Sequence, residues 1–178
     1  TSGTTANPKG CVHRHGALVS VLRGFTERLA ITPDDRLWSP LPIFHVGGIQ
    51  SLGLAACAGC SVVHAGHFDP GRAIDELERE RCTIAFPAFQ TIWMAVLNHP
   101  RFPEADLGAL RLVINVGTVG ALRTMQARHP RIPQVAGYGG TESCGFATLG
   151  APDDAEEARL TTGGAPLPGM EIRVVDPR

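Results

Sequence analysis

Apolar residues in this chain change their period repeatedly. Runs at helical spacing give way within a few residues to short strand-like runs, and then to helical spacing again. Leu18, Val21, Leu22, Phe25 and Leu29 recur at the interval of a helix of about four turns. Thr32-Pro33-Asp34-Asp35 reads as a turn, and Arg36-Leu37-Trp38-Ser39 as a short strand. Residues 47–57 suit a second helix, and Ser61-Val62-Val63-His64 a buried strand. Asp69-Pro70 offers an N-cap followed by proline at the first helical position. Ile74 and Leu77 then face inward, and the charged run from Glu76 to Arg81 forms a solvated face. Thr83 to Phe86 is a strand; Phe89, Ile92, Trp93, Val96 and Leu97 form a helical stripe of the kind that packs a core. Leu110 to Ile114 is a strand, Leu122 to Arg128 a short helix, and Gln134-Val135-Ala136 a strand that enters a glycine-rich run. Asp153 to Glu157 reads as an exposed acidic loop.

Such alternation constrains the fold class to α/β, with a mainly parallel sheet flanked by helices. Ligands in these folds sit beyond the carboxyl ends of the strands. The loops after Ile114 and Ala136 lie at such ends. At 178 residues the chain is expected to form one unit with a real core.

Composition removes several function classes. A net charge of −1 with dispersed Lys and Arg argues against nucleic acid as the main partner, because phosphate-backbone binding needs a basic face. No apolar run is long enough to span a membrane. The five cysteines are odd in number and dispersed, which suits reduced thiols and a cytoplasmic setting. Cys57-Ala58-Gly59-Cys60 lacks a second cysteine pair, and the pairs His13/His15 and His64/His67 do not reach four ligands at metal spacing.

Three segments carry chemistry. Thr1-Ser2-Gly3-Thr4-Thr5-Ala6-Asn7-Pro8-Lys9-Gly10 could wrap a phosphate with backbone N–H groups, hydroxyls and one cation, or could be a flexible linker. It is not a Walker A loop, since Lys9 follows Gly3 by six residues and Pro8 directly precedes it. Pro40-Leu41-Pro42-Ile43-Phe44-His45-Val46-Gly47-Gly48 places one histidine after an aromatic residue; alone, that histidine could be a hydrogen-bonded core residue. Gly137-Tyr138-Gly139-Gly140-Thr141-Glu142 sets a hydroxyl beside a carboxylate, which suits either a magnesium site or a helix cap.

In this order the three segments resemble the adenylate-forming, AMP-binding enzymes: acid–CoA ligases, luciferases and peptide-synthetase adenylation domains. Residues 163–176 resemble that family's next segment, so the resemblance covers essentially the whole chain. It implies that residues 1–178 are the central part of a large N-terminal domain, cut at both ends. The ribose-contacting motif, hinge and small C-terminal domain with its lysine are not in this stretch. The implied reaction activates a carboxylic acid with ATP to an acyl-adenylate and then forms a thioester with coenzyme A. The partners are then ATP/AMP, Mg2+, CoA and a small carboxylic acid. Adenylation with transfer to a carrier protein, or a fragment that holds nucleotide without catalysis, stays open. A cut chain is expected to be weak or inactive alone, and to self-associate through exposed faces.

The resemblance assigns Thr1, Ser2, Gly3, Thr4, Thr5 and Lys9 to the ATP phosphates. Thr141 goes to the α-phosphate, Glu142 to magnesium, Tyr138 to the adenine, with Gly137, Gly139 and Gly140 around it. Val116, Gly117 and Thr118 fall where the family lines the adenine and acyl pocket. His45 would lie between acid and α-phosphate, next to Val46, Gly47 and Gly48. Lys9, His45, Thr141 and Glu142 form the expected catalytic set. Ala6 departs from the family's glycine or serine; if that position needs positive φ, alanine costs about 1 kcal/mol. Amino-acid-activating members carry aspartate after the phenylalanine, and His45 cannot supply that charge. The expected substrate is therefore an acid without an α-ammonium, with Gly47 and Gly48 leaving room and Ile49, Leu52, Phe89 and Trp93 as apolar walls.

Overall fold

Successive residues of the central strands sort to opposite sides of one sheet, and this sorting builds two cores. The computed structural model describes residues 7–64 and 66–176. Its order is α1 (His15–Arg28), β1 (Arg36–Trp38), α2 (Val46–Ala58), β2 (Ser61–Val63), α3 (Pro70–Arg79), β3 (Ile84–Phe89) and α4 (Gln90–Leu97). Then come β4 (Leu112–Val116), α5 (Val119–Arg128), β5 (Gln134–Gly140), β6 (Gly145–Leu149), α6 (Glu156–Thr161) and β7 (Ala165–Pro166). The sheet order is β2-β1-β3-β4-β5-β6-β7. The pairs from β2 to β5 are parallel, and β5–β6 and β6–β7 are antiparallel.

Leu37, Ile84, Phe86, Leu112, Ile114 and Val135 enter one core with the inner faces of α1 and α2. Their strand neighbours Trp38, Ala85, Val113 and Ala136 enter the other, under α3, α4, α5 and α6. This is the period-two division of a strand covered on both faces. In the first core Phe25 of α1, Phe86 of β3 and Phe146 of β6 form a triangle, with ring centroids 5.7–6.0 Å apart. It fastens the antiparallel end of the sheet to the helix that follows the N-terminal loop.

Local chemistry explains several boundaries. Asp69 Oδ1 accepts the Arg72 N–H at 2.9 Å and caps α3, with Pro70 at its first position. Gly59, at φ 73°, ends α2 in the left-handed conformation. Four sequence expectations change. Residues 61–63 form the edge strand and are half exposed, because β2 has one strand neighbour only. Glu76 is buried and accepts the Trp38 indole N–H at 2.9 Å, so this part of the charged run is not solvated. The acidic loop continues into α6. The strand β6 lies in a stretch for which no strand was expected, and all five of its residues are buried.

Candidate active site

β1 leads into a proline-bounded turn that delivers His45. The His45 N–H donates to the Pro42 carbonyl at 2.9 Å, and Nδ1 accepts the Gly47 N–H at 3.0 Å as the N-cap of α2. With Nδ1 accepting, a neutral imidazole carries its proton on Nε2, a donor suited to an anionic oxygen. The exposed ring meets Phe89 edge-on, with centroids 5.9 Å apart. Gly47 and Gly48 are both buried. A Cβ on Gly48 would stand 2.2 Å from the Pro42 carbonyl oxygen, and one on Gly47 2.8 Å from Leu41 Cδ1. The space that these glycines leave is therefore filled by the chain's own turn, not open for an acid. Val46 is half-buried at the first position of α2.

β3 carries an irregularity against β4 between Ala85 and Ala88. Ala88 has φ 57°, a conformation that costs an alanine about 1 kcal/mol. Such a bulge re-aims the residues that follow. Phe89 emerges half-exposed, and Gln90 Oε1 accepts the Thr118 N–H at 2.9 Å. A Cβ on Gly117 would lie 2.6 Å from that same oxygen, so glycine is needed for Gln90 to reach the turn. Thr118 Oγ1 in turn accepts the Ala121 N–H at 3.3 Å and caps α5. Val116, the last residue of β4, is 40% exposed.

The run 137–140 belongs to β5 itself. Its glycines allow close pairing with β6: a Cβ on Gly139 would stand 2.0 Å from the Gly145 carbonyl oxygen, and one on Gly137 2.8 Å from that of Thr148. Between them Tyr138 is 69% exposed. A single 3-10 turn, Thr141–Ser143, then reverses the chain. Ser143 Oγ accepts the Gly140 N–H at 3.0 Å and donates to the Gly145 carbonyl at 2.6 Å. The Glu142 side chain is exposed on this turn. Lys9 is exposed on the segment before α1.

His45, Phe89, Val116–Thr118 and Tyr138–Glu142 thus lie at or just beyond the carboxyl ends of β1, β3, β4 and β5, which are consecutive in the sheet. Thr1, Ser2, Gly3, Thr4, Thr5 and Ala6 lie outside the described residues. Trp93 is not an acid-pocket wall: it is 1% exposed in the second core, against His129. Ile49 and Leu52 are each about half exposed on α2. Among the described residues no group of three or more His, Cys, Asp or Glu side chains could hold a metal. One exposed carboxylate fits magnesium only in the mode where substrate phosphates and water supply the other ligands. Gln90 has one signal in the sequence, its place directly after a strand end, and His13 stands out there only as half of a histidine pair too small for a metal site.

Residues 1–178 match the model of the AMP-binding enzyme family. Indoleacetate–CoA ligase of Aromatoleum aromaticum is 34% identical over 177 residues, covering 98% of this chain and 34% of the relative. The chain superposes on O-succinylbenzoate coenzyme A synthetase of Bacillus subtilis, in complex with ATP and magnesium ion. The TM-score is 0.83 at 28% identity, covering 99% of this chain and 36% of that one. It also superposes on amide bond synthetase McbA of Marinactinospora thermotolerans, with TM-score 0.84 at 28% identity, covering 99% of this chain and 35% of that one. The chain spans about a third of the length of the curated relatives it matches. It belongs to the AMP-binding enzyme family.

Proposed function

We propose that this member of the AMP-binding family provides the nucleotide- and acid-facing part of an ATP-dependent acid–CoA ligase. One observation carries the reading. His45, Phe89, Thr118 and the run from Tyr138 to Glu142 come from four separate segments, yet all stand at the carboxyl ends of the consecutive strands β1, β3, β4 and β5. A carboxylate is a poor electrophile because its leaving group would be oxide. In the first step a carboxylate oxygen attacks the α-phosphorus of ATP, and pyrophosphate leaves. In the second, the thiol of coenzyme A attacks the acyl carbonyl; the C–S bond forms, its proton passes to solvent, and AMP leaves with the C–O electron pair.

Each residue has a role in this reading. The Nε2–H of His45 donates to the acid or the α-phosphate. Thr141 supplies its hydroxyl to the α-phosphate, and Lys9, with Thr1, Ser2, Gly3, Thr4 and Thr5, binds the outer phosphates. Tyr138 offers an aromatic face to the adenine, between Gly137 and Gly139–Gly140. Glu142 holds magnesium, which when bound would neutralise charge on the phosphates. Val116, Gly117 and Thr118 border the adenine and the acyl chain.

The acid in this reading is apolar and has no α-ammonium. Ile43, Phe44, Phe89 and Val116 are exposed around His45 and at neighbouring strand ends, and no carboxylate follows Phe44. Likeness to an amide bond synthetase supports a second reading, in which the acyl group passes to an acceptor other than CoA. Product analysis on a protein of the relatives' full length that contains this stretch, given free CoA, a carrier protein or an amine, separates the two. The first test is calorimetric titration of this chain with MgATP and a non-hydrolysable acyl-adenylate analogue. Saturable binding that Glu142→Ala weakens supports the reading; no binding to the folded chain opposes it for this stretch alone.

A further inference from the structure

His13 lies between the loop that carries Lys9 and the turn that carries Thr141 and Glu142, and it bonds to that turn twice. Its Nε2 lies 2.6 Å from the Thr141 carbonyl oxygen, and its Nδ1 lies 3.0 Å from Cys144 Sγ. A carbonyl can only accept, so Nε2 carries the imidazole proton and donates it. In the neutral ring Nδ1 is then an acceptor, and the Cys144 thiol is its donor. The turn that receives these bonds is tightly determined. Cys144 sits at φ 60° with its N–H on the Thr141 carbonyl, and Gly145 sits at φ 109° beneath the buried Gln50 side chain. A Cβ on Gly145 would stand 2.1 Å from the Gln50 amide. The turn is thus held from below by α2 and from the side by His13.

We infer that His13 is a positioning residue that fixes the segment carrying Lys9 to the Thr141–Glu142 turn. Lys9 is four residues upstream, so the chain itself holds its Cα within about 14 Å of the His13 Cα, and tying His13 to the turn confines Lys9 to that reach of it. The inference rests on the reading that both segments face the nucleotide phosphates. Neither Lys9 nor Glu142 is touched by His13; it acts through the Thr141 carbonyl and through the chain between positions 9 and 13. The two ring nitrogens have separable roles. Glutamine can present its amide N–H near the position of Nε2, whereas asparagine reaches only as far as Nδ1.

The test uses His13→Ala, His13→Gln and His13→Asn in the full chain. Amide hydrogen exchange without ligand is followed by calorimetric titration with MgATP. His13→Ala should speed exchange at residues 141–145 and weaken MgATP binding about tenfold, the scale on which supporting contacts act. His13→Gln should restore most of that affinity, and His13→Asn should not. Unchanged exchange in His13→Ala overturns the inference. So does unchanged affinity, or a glutamine variant as weak as alanine, while the unaltered chain binds MgATP. If the unaltered chain binds no MgATP, the nucleotide reading falls for this chain and the positioning role falls with it.

Discussion

The two ends of the parallel strands are built on opposite principles. At the amino ends, charge is consumed internally. Asp35, just before β1, is 5% exposed. Its Oδ1 accepts from Arg111 Nε at 2.8 Å and from the Thr83 hydroxyl at 2.6 Å. Its Oδ2 accepts from Arg111 Nη2 at 2.8 Å and from the Thr32 N–H at 2.9 Å. Arg111 also reaches the Leu29 and Ala30 carbonyls beyond the end of α1, where a cation offsets the helix dipole. At the carboxyl ends, by contrast, Phe44, Tyr138 and Glu142 are exposed. The bonds there position backbone: His45 to Gly47, Gln90 to Thr118, His13 to Thr141. One end joins helix to sheet; the other leaves side chains exposed, as the proposed nucleotide site requires.

The contrast can be broken from the amino end first. Arg111→Ala leaves a buried carboxylate without its cation and should cost about 3–5 kcal/mol in urea unfolding. Nucleotide affinity of the folded fraction should stay unchanged; a loss of affinity at matched folding would show the two ends to be coupled.

A smaller effect concerns acid. Burial raises the Asp35 pKa, but the bonds from Arg111, Thr83 and Thr32 outweigh it and hold the carboxyl at about 2, below its ordinary 3.8. A depressed carboxylate contributes stability above its unfolded pKa and loses it as pH falls through the folded one. Between pH 3.8 and about 2, the chain should therefore lose about 2 kcal/mol of stability that an Asp35→Asn variant lacks from the start. Parallel acid-unfolding curves for the two proteins would contradict this.

Glu142→Ala reverses the pattern at the carboxyl end. It should move stability by no more than about 0.5 kcal/mol, as for an exposed residue, and weaken MgATP binding about tenfold, roughly 1.4 kcal/mol. A large loss of stability would make Glu142 a structural residue instead. The smallest effect is at the bulge of β3. Ala88→Gly relieves the left-handed alanine and should gain at most about 1 kcal/mol in thermal unfolding. Because it also loosens the aim of Phe89 and Gln90, affinity for an acyl-adenylate analogue should fall slightly while stability rises.

The local code was legible wherever one residue type has one use. The stripe from Leu18 to Leu29 and the Asp69-Pro70 cap mark α1 and α3 as the structure has them, and Gln134-Val135-Ala136 marks the start of β5, which continues through the glycine run to Gly140. Three order-bearing motifs also sufficed to recognise the family. What failed were positions whose meaning depends on a distant partner. Glu76 looks solvated until Trp38 is placed above it, and of the two uses the sequence allows Trp93, core stripe or acid-pocket wall, the structure takes the core. Gly47 and Gly48 look like open space, yet the turn at 41–43 occupies it. The β6 strand hides because a fully buried strand lacks alternation.

The sequence by itself therefore determined the α/β class, the alternation of elements and the residue types at the strand ends, because periodicity and capping are written within a few neighbouring residues. The tertiary structure alone decided the antiparallel close of the sheet, the Asp35–Arg111 lock and the His13 contact to Thr141. The antiparallel close depends on a buried strand that shows no alternation, and the other two join residues 76 and 128 positions apart, where no local spacing encodes which surfaces will meet.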